Sequence, residues 1–254
     1  MKKYIINLLL MVFCWPGNTF SAVSAVQDFN TVYTGTLNNK NEVVFSLKNK
    51  SGKLSGFYYY NKIGVEINLI GEIEDGTATI YELDYQGKKQ AKIIGQLSAQ
   101  GFTGKWESLT ARKILLLQFK QTNKAIPNFP KNLVSTYVTN ENDCAISINI
   151  SKIKSEYFYQ FKSKARTLKG KVTFSRSLDE KLVYINFNGI EWAENSGDVT
   201  DGKENAPSKD NLPTVVQGLL NENEIIIQNY GNAMNRYVKL DDCGEKYIHL
   251  KRKL

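Results

Sequence analysis

The chain is expected to be all-β, with an N-terminal up-and-down antiparallel eight-stranded barrel followed by a second β-rich domain with one disulfide. Three observations predict this. First, an apolar-x-Gly-x-apolar unit recurs at Tyr33–Leu37, Leu54–Tyr58, Leu69–Ile73, Ile93–Leu97 and Phe102–Trp106, and again at Leu168–Val172 and Val216–Leu220. Side chains alternate across a strand, so each glycine shares a face with the apolar residues two before and two after it. There it lets the strand bend, or makes room for a neighbour's large side chain. Second, short alternating runs follow one another closely, and no window carries a helical period. Third, the prolines fall at 16, 127, 130, 207 and 213, leaving 26–126 and 131–206 free of a residue that central strands exclude.

Residues 1–25 read as a secretory signal peptide. Lys2 and Lys3 are its basic start, Ile5 to Trp15 is apolar except for Asn7, and Val23-Ser24-Ala25 offers cleavage near Ala25. Phe13 ahead of Cys14 is too bulky for lipoprotein processing. Later in the chain, no run is long and apolar enough for a transmembrane segment. The mature chain is therefore expected in the periplasm or the medium. Of 33 basic residues, 31 remain without Lys2 and Lys3, against 25 acidic ones, a net charge of +6 that favours anionic partners.

The β-barrel domain is expected over 26–125, with strands near 31–37, 42–48, 53–61, 64–73, 77–85, 90–97, 101–108 and 113–120. Asn38-Asn39-Lys40-Asn41, Ser51-Gly52, Glu74-Asp75-Gly76 and Gln86-Gly87 supply turns between them. Eight strands on tight turns favour closure, which removes exposed edges. Gly56-Phe57-Tyr58 and Gly104-Lys105-Trp106 give strands of a Gly-x-aromatic type. In this spacing the N-terminal half resembles the eight-stranded barrels of the avidin and lipocalin type. That resemblance implies a barrel fold and, as those families often show, a small ligand in the barrel. It carries over no ligand residue. The inward faces otherwise offer Val, Ile, Leu, Phe and Trp, so a filled core is expected.

Pro127 and Pro130 bracket a linker over 126–130. The second domain, 131–254, has candidate strands at 133–138, 144–151, 157–163, 167–175, 182–188, 214–220, 223–229, 235–240 and 245–251, and a long polar loop from Ala193 to Pro213. Two cysteines outside the leader, Cys144 and Cys243, most simply form one disulfide in an oxidising compartment. The shared glycine pattern is compatible with a duplication of the first domain.

No residue pattern points to catalysis, and none to a cofactor. His249, the lone histidine, lies on a strand face with Tyr247 and Lys251, with no Gly-x-Ser-x-Gly to accompany it. Glu72, Glu74 and Asp75 read as a solvated strand end and turn, and Glu82 with Asp84 as the outer face of the next strand. Asp198, Asp201 and Glu204 around Gly202 fail the calcium-loop spacing, because Val199 and Ser208 would stand at ligand positions. No metal site is expected.

Two surfaces are candidates for binding. Asn229, Tyr230, Asn232 and Asn235 form a loop rich in asparagine and glycine, read either as a self-bonded hairpin or as a rigid loop with Tyr230 as anchor. Lys162, Lys164, Arg166, Lys169 and Lys171 form a basic patch, in a region also carrying Lys152, Lys154 and Arg176. Export argues against nucleic acid, so a protein or an anionic envelope polymer is the expected partner. The leading expectation is an exported, non-enzymatic binding protein of inhibitor or immunity type. A small-ligand-binding barrel is the alternative, and a carboxylate-dependent hydrolase is a third.

Overall fold

Ser51-Gly52 and Asp75-Gly76 each carry positive φ at both residues, the backbone of a type I′ hairpin turn. Such turns match strand twist, and through them the sequence runs as consecutive antiparallel neighbours. A computed structural model describes residues 27–98, 100–140, 144–198 and 212–253. The leader over 1–25, and the stretch holding Asp201, Gly202 and Glu204, lie outside the described residues.

The first barrel comprises β1 (Phe29–Leu37), β2 (Asn41–Lys50), β3 (Lys53–Tyr60), β4 (Ile67–Glu74), β5 (Thr77–Leu83), β6 (Lys89–Ser98), β7 (Gly101–Ser108) and β8 (Ile114–Thr122). Each strand pairs with the next, and β1 pairs with β8 through Gly35↔Phe119 and Leu37↔Leu117, so the sheet closes. Its core stacks Phe45 on Phe102 and Phe119, at 5.6 and 5.2 Å between centroids. The glycines permit close approach. A Cβ on Gly56 would stand 2.0 Å from the Ser46 carbonyl oxygen, and one on Gly95 would stand 2.5 Å from the Phe102 ring. Of the two expected uses of glycine, making room is the one seen at these positions.

The second domain is also a closed eight-stranded antiparallel barrel. In chain order its elements are β9 (Thr136–Val138), β10 (Ser147–Ile153), β11 (Glu156–Lys162), β12 (Thr167–Ser177), β13 (Leu182–Asn188), β14 (Glu194–Asp198), β15 (Val215–Leu220), β16 (Glu224–Gln228), β17 (Asn235–Val238) and β18 (Tyr247–Arg252). The barrel order is β10-β11-β12-β13-β15-β16-β18-β9. β14 and β17 stand outside it and pair with each other. The expected strand at 235–240 is thus not a barrel stave. Its partner is a polar segment read as loop, because Glu194-Asn-Ser-Gly-Asp198 has no apolar alternation. The core holds Ile148, Phe161, Phe174, Phe187, Ile225 and Leu250. Cys144 and Cys243 form the expected disulfide and join the segments before β10 and β18. No helix among the described residues is long and apolar enough to cross a membrane.

The barrels touch through the β3–β4 turn. The Phe174 backbone N–H donates to the Ile63 carbonyl at 2.9 Å. Val65 and Phe129 pack on the second core. Arg176 does not belong to an exposed basic patch: its side chain is wholly buried at this joint, ion-paired to Glu66 at 2.9 Å.

Candidate functional site

The two long connections of the second barrel meet on one side. The first, leaving β13, supplies β14, and the second, leaving β16, supplies β17. At the root of the second lies Asn229, fully buried. Its Nδ2 donates to the carbonyls of Leu240 and Cys243, both at 2.9 Å, and its Oδ1 accepts from the Leu240 N–H at 2.7 Å. Asn229 is therefore a bracket rather than a contact residue, a correction made by burial. Beyond it, Tyr230 bridges to Val238, and Gly231 N–H donates to the Tyr237 carbonyl at 3.0 Å. Asn232 Oδ1 accepts from the N–H groups of Met234 and Asn235, each at 2.9 Å, which folds the tip back. The loop is a hairpin held by asparagine–backbone hydrogen bonds, as one of its two readings expected. Asn232 and Asn235 are exposed and Tyr230 is half-buried. Met234, a residue that sequence reasoning passed over, stands bare at the tip with 59% of its surface exposed. Tyr230, Asn232 and Tyr237 border a groove of about 390 Å³ with Glu194 and Ser196 of β14.

The basic patch divides. Lys162, Lys169 and Lys171 are exposed on the outer face of β11 and β12, where Lys169 sits opposite Gln160 and Lys171 opposite Phe158. Lys171 is ion-paired to Glu156. Lys164 is exposed in the turn between these strands. Arg166 is structural: its Nε and Nη2 donate to Asp242 Oδ2 at 3.1 and 2.6 Å. The Asp242 side chain is 1% exposed and also accepts from Ser163 Oγ at 2.5 Å. Arg166 thus anchors the segment beside Cys243.

Neither protein-family models, nor curated proteins, nor solved structures match the chain.

A third group lies at one end of the first barrel. Glu82 does not face outward. It is in phase with Ala78 and Ile80, both fully buried, and so points into the barrel. Its Oε2 accepts from Tyr58 Oη at 2.8 Å and from Trp106 Nε1 at 2.7 Å. The rings of Tyr58 and Tyr60 meet edge to face at 5.6 Å. Burial, reinforced by the Glu82 charge, holds the Tyr58 hydroxyl far above the ordinary tyrosine range. Asp84, by contrast, accepts from the N–H groups of Gln86 and Lys88 and folds the next turn. Backbone N–H donation, first from Lys88, holds its carboxyl below the usual range.

His249 is half exposed, 3.0 Å from Glu224, on the outer face of β18. No group of three or more metal-ligating side chains occurs among the described residues.

Proposed function

We propose that this is an exported, non-enzymatic binding protein that recognises another protein through the loop between β16 and β17. The observation that carries this reading is the bare Met234 at the tip of a hairpin whose backbone is fixed by Asn229 and Asn232. A pre-formed loop loses little conformational entropy on docking. A flexible thioether adapts to an irregular apolar pocket. The groove beside Tyr230 and Tyr237 gives a second, aromatic contact of the type that dominates interface energetics. This shape supports an inhibitory or immunity role, since a rigid loop fits a concave site on its target. The exposed lysines of β11 and β12 favour an acidic rim on that target.

The test uses the oxidised full chain immobilised against an extracytoplasmic extract of its own source. A saturable protein partner is expected, held by the parent chain. Met234→Asp and Tyr230→Ala should each weaken it by about tenfold or more with no change in melting temperature. Equal retention by both variants would sink the proposal.

A further inference from the structure

We infer that the first barrel is a cup, open at the end that carries Glu82, and that it takes a saccharide bearing an acidic substituent. The argument starts from barrel geometry: an inward-facing side chain reaches water only through a barrel end. At the end formed by the β1–β2, β3–β4, β5–β6 and β7–β8 turns, the inward residues Tyr60, Ile67, Glu82, Trp106 and Leu115 are partly exposed, while Leu37 and Val43 beside the β1–β2 turn are buried. At the other end Leu54, Ile73, Ala78 and Phe102 are buried, and only Phe29 and Leu97 of the inward apolar residues are partly exposed. That end presents mainly apolar side chains, whereas the first presents a carboxylate among aromatic rings.

That carboxylate is half satisfied. Tyr58 and Trp106 both donate to Oε2. Among the described residues no donor reaches Oε1, and no lysine or arginine pairs with Glu82. Its cross-strand neighbours are Leu69 on β4 and Ala91 on β6, so only on the β4 side does a bulky side chain stand next to it. A ligand entering this end must therefore bring a donor, which excludes a purely apolar molecule because the carboxylate would be stranded without water. The rim decides between a cation and a hydroxyl. Lys40, Glu42 and Lys62 border a groove of about 500 Å³ that begins at Tyr60, and in the β5–β6 and β7–β8 turns Lys88, Arg112 and Lys113 stand with Asp84, so cations outnumber acids at this rim. The cations oppose an entering ammonium and favour an anionic group. A sugar hydroxyl can donate to Glu82 Oε1 without bringing positive charge. Sugar rings lie on aromatic faces, here Tyr60 and Trp106, while an acidic substituent reaches Lys40 and Lys62. Mostly apolar walls with a few convergent polar groups are the usual lining of a small-ligand site.

The experiment titrates the oxidised full chain, carrying Trp15→Phe and Trp192→Phe so that Trp106 alone reports, with a glucuronate-containing tetrasaccharide. Neutral chitotetraose and choline serve as comparison probes. The acidic tetrasaccharide should bind, change Trp106 emission, and bind at least fivefold more tightly than the neutral one. Glu82→Gln should weaken both saccharides about tenfold, and Lys62→Glu should weaken only the acidic one. Lys62 is exposed, so this second variant keeps the test readable even if Glu82→Gln lowers stability. Failure of either saccharide to bind at millimolar concentration, equal affinity for the two, or preference for choline would each overturn the inference. The site lies on the other barrel from Met234, so its failure leaves the loop proposal standing, and the reverse.

Discussion

The guanidinium of Arg176, on β12 of the second barrel, lies 4.3 Å from the ring centroid of Tyr59, on β3 of the first. Phe129 faces the same guanidinium at 3.8 Å. Nη1 meets Glu66 Oε1 at 2.9 Å, and Nη2 donates to the Gly64 carbonyl at 2.8 Å. Two rings, one carboxylate and one carbonyl thus hold one cation between the barrels. Arginine suits the place, since its planar fork can stack and donate at once.

Arg176→Ala should destabilise the full chain by about 3 kcal/mol, the loss typical of breaking a buried, paired charge. Arg176→Lys should recover only part of this, because a point charge cannot serve both the ring faces and the forked acceptors. Urea unfolding of the parent and both variants checks it. An unchanged midpoint in Arg176→Ala would show that the joint contributes little.

Asn229 offers a second test. Asn229→Asp keeps the shape but turns an oxygen toward the carbonyls of Leu240 and Cys243. A loss of about 2 kcal/mol or more is expected near neutral pH. The new carboxyl is disfavoured as an anion, so its folded-state pKa lies above the unfolded value. The folded chain then holds the proton longer, and the deficit relative to the parent should shrink as pH falls through that window. A deficit independent of pH would contradict the hydrogen-bond assignment.

The Cys144–Cys243 bridge closes a sequence separation of 99 residues. In the chain-entropy view it stabilises the fold by about 4–5 kcal/mol. Both cysteines lie in the second barrel, so reduction should lower that barrel's unfolding midpoint first and leave Trp106 emission native. Loss of the Trp106 signal together with the second barrel would mean that the barrels unfold as one unit.

Alkali gives a fourth expectation. Burial pushes the Tyr59 hydroxyl up to about 12, against the pull of Arg176. The unfolded chain gives up that proton near pH 10.0, before the folded chain does. The contribution is whole below that point and is lost as pH rises toward about 12. Tyr59→Phe should flatten the alkaline fall in stability, read as melting temperature against pH. An identical fall in the variant would assign the effect to other tyrosines.

The staves of the first barrel were legible because Val43, Phe45 and Leu47 alternate, and because Asn38, Ser51 and Asp75 sit in turns that need positive φ. The disulfide was legible from two cysteines outside an expected leader. Glu82 was misread because acidic side chains were assigned to solvent. Its parity with Ala78 and Ile80 was the signal that outweighs composition. β14 had no such signal, since a strand made by pairing with another exposed strand needs no apolar face. Arg176 and Arg166 looked like members of one basic surface because sequence shows the charge and not the acid that a distant segment brings to meet it. Glu66 is 110 residues away from the first, and Asp242 is 76 from the second.

The turn joining β3 to β4 serves two structures. Lys62 and Ile63 border the groove at the first barrel's open end, while the Ile63 and Gly64 carbonyls accept hydrogen bonds from Phe174 and Arg176 of the second. Thermodynamic reciprocity binds these roles together. Whatever free energy an occupant of the groove draws from the posture of this turn, the barrel–barrel joint must gain by the same amount when the groove is filled. The joint between the barrels and the rim of the groove are one short piece of chain, so a change in the backbone of this turn bears on both.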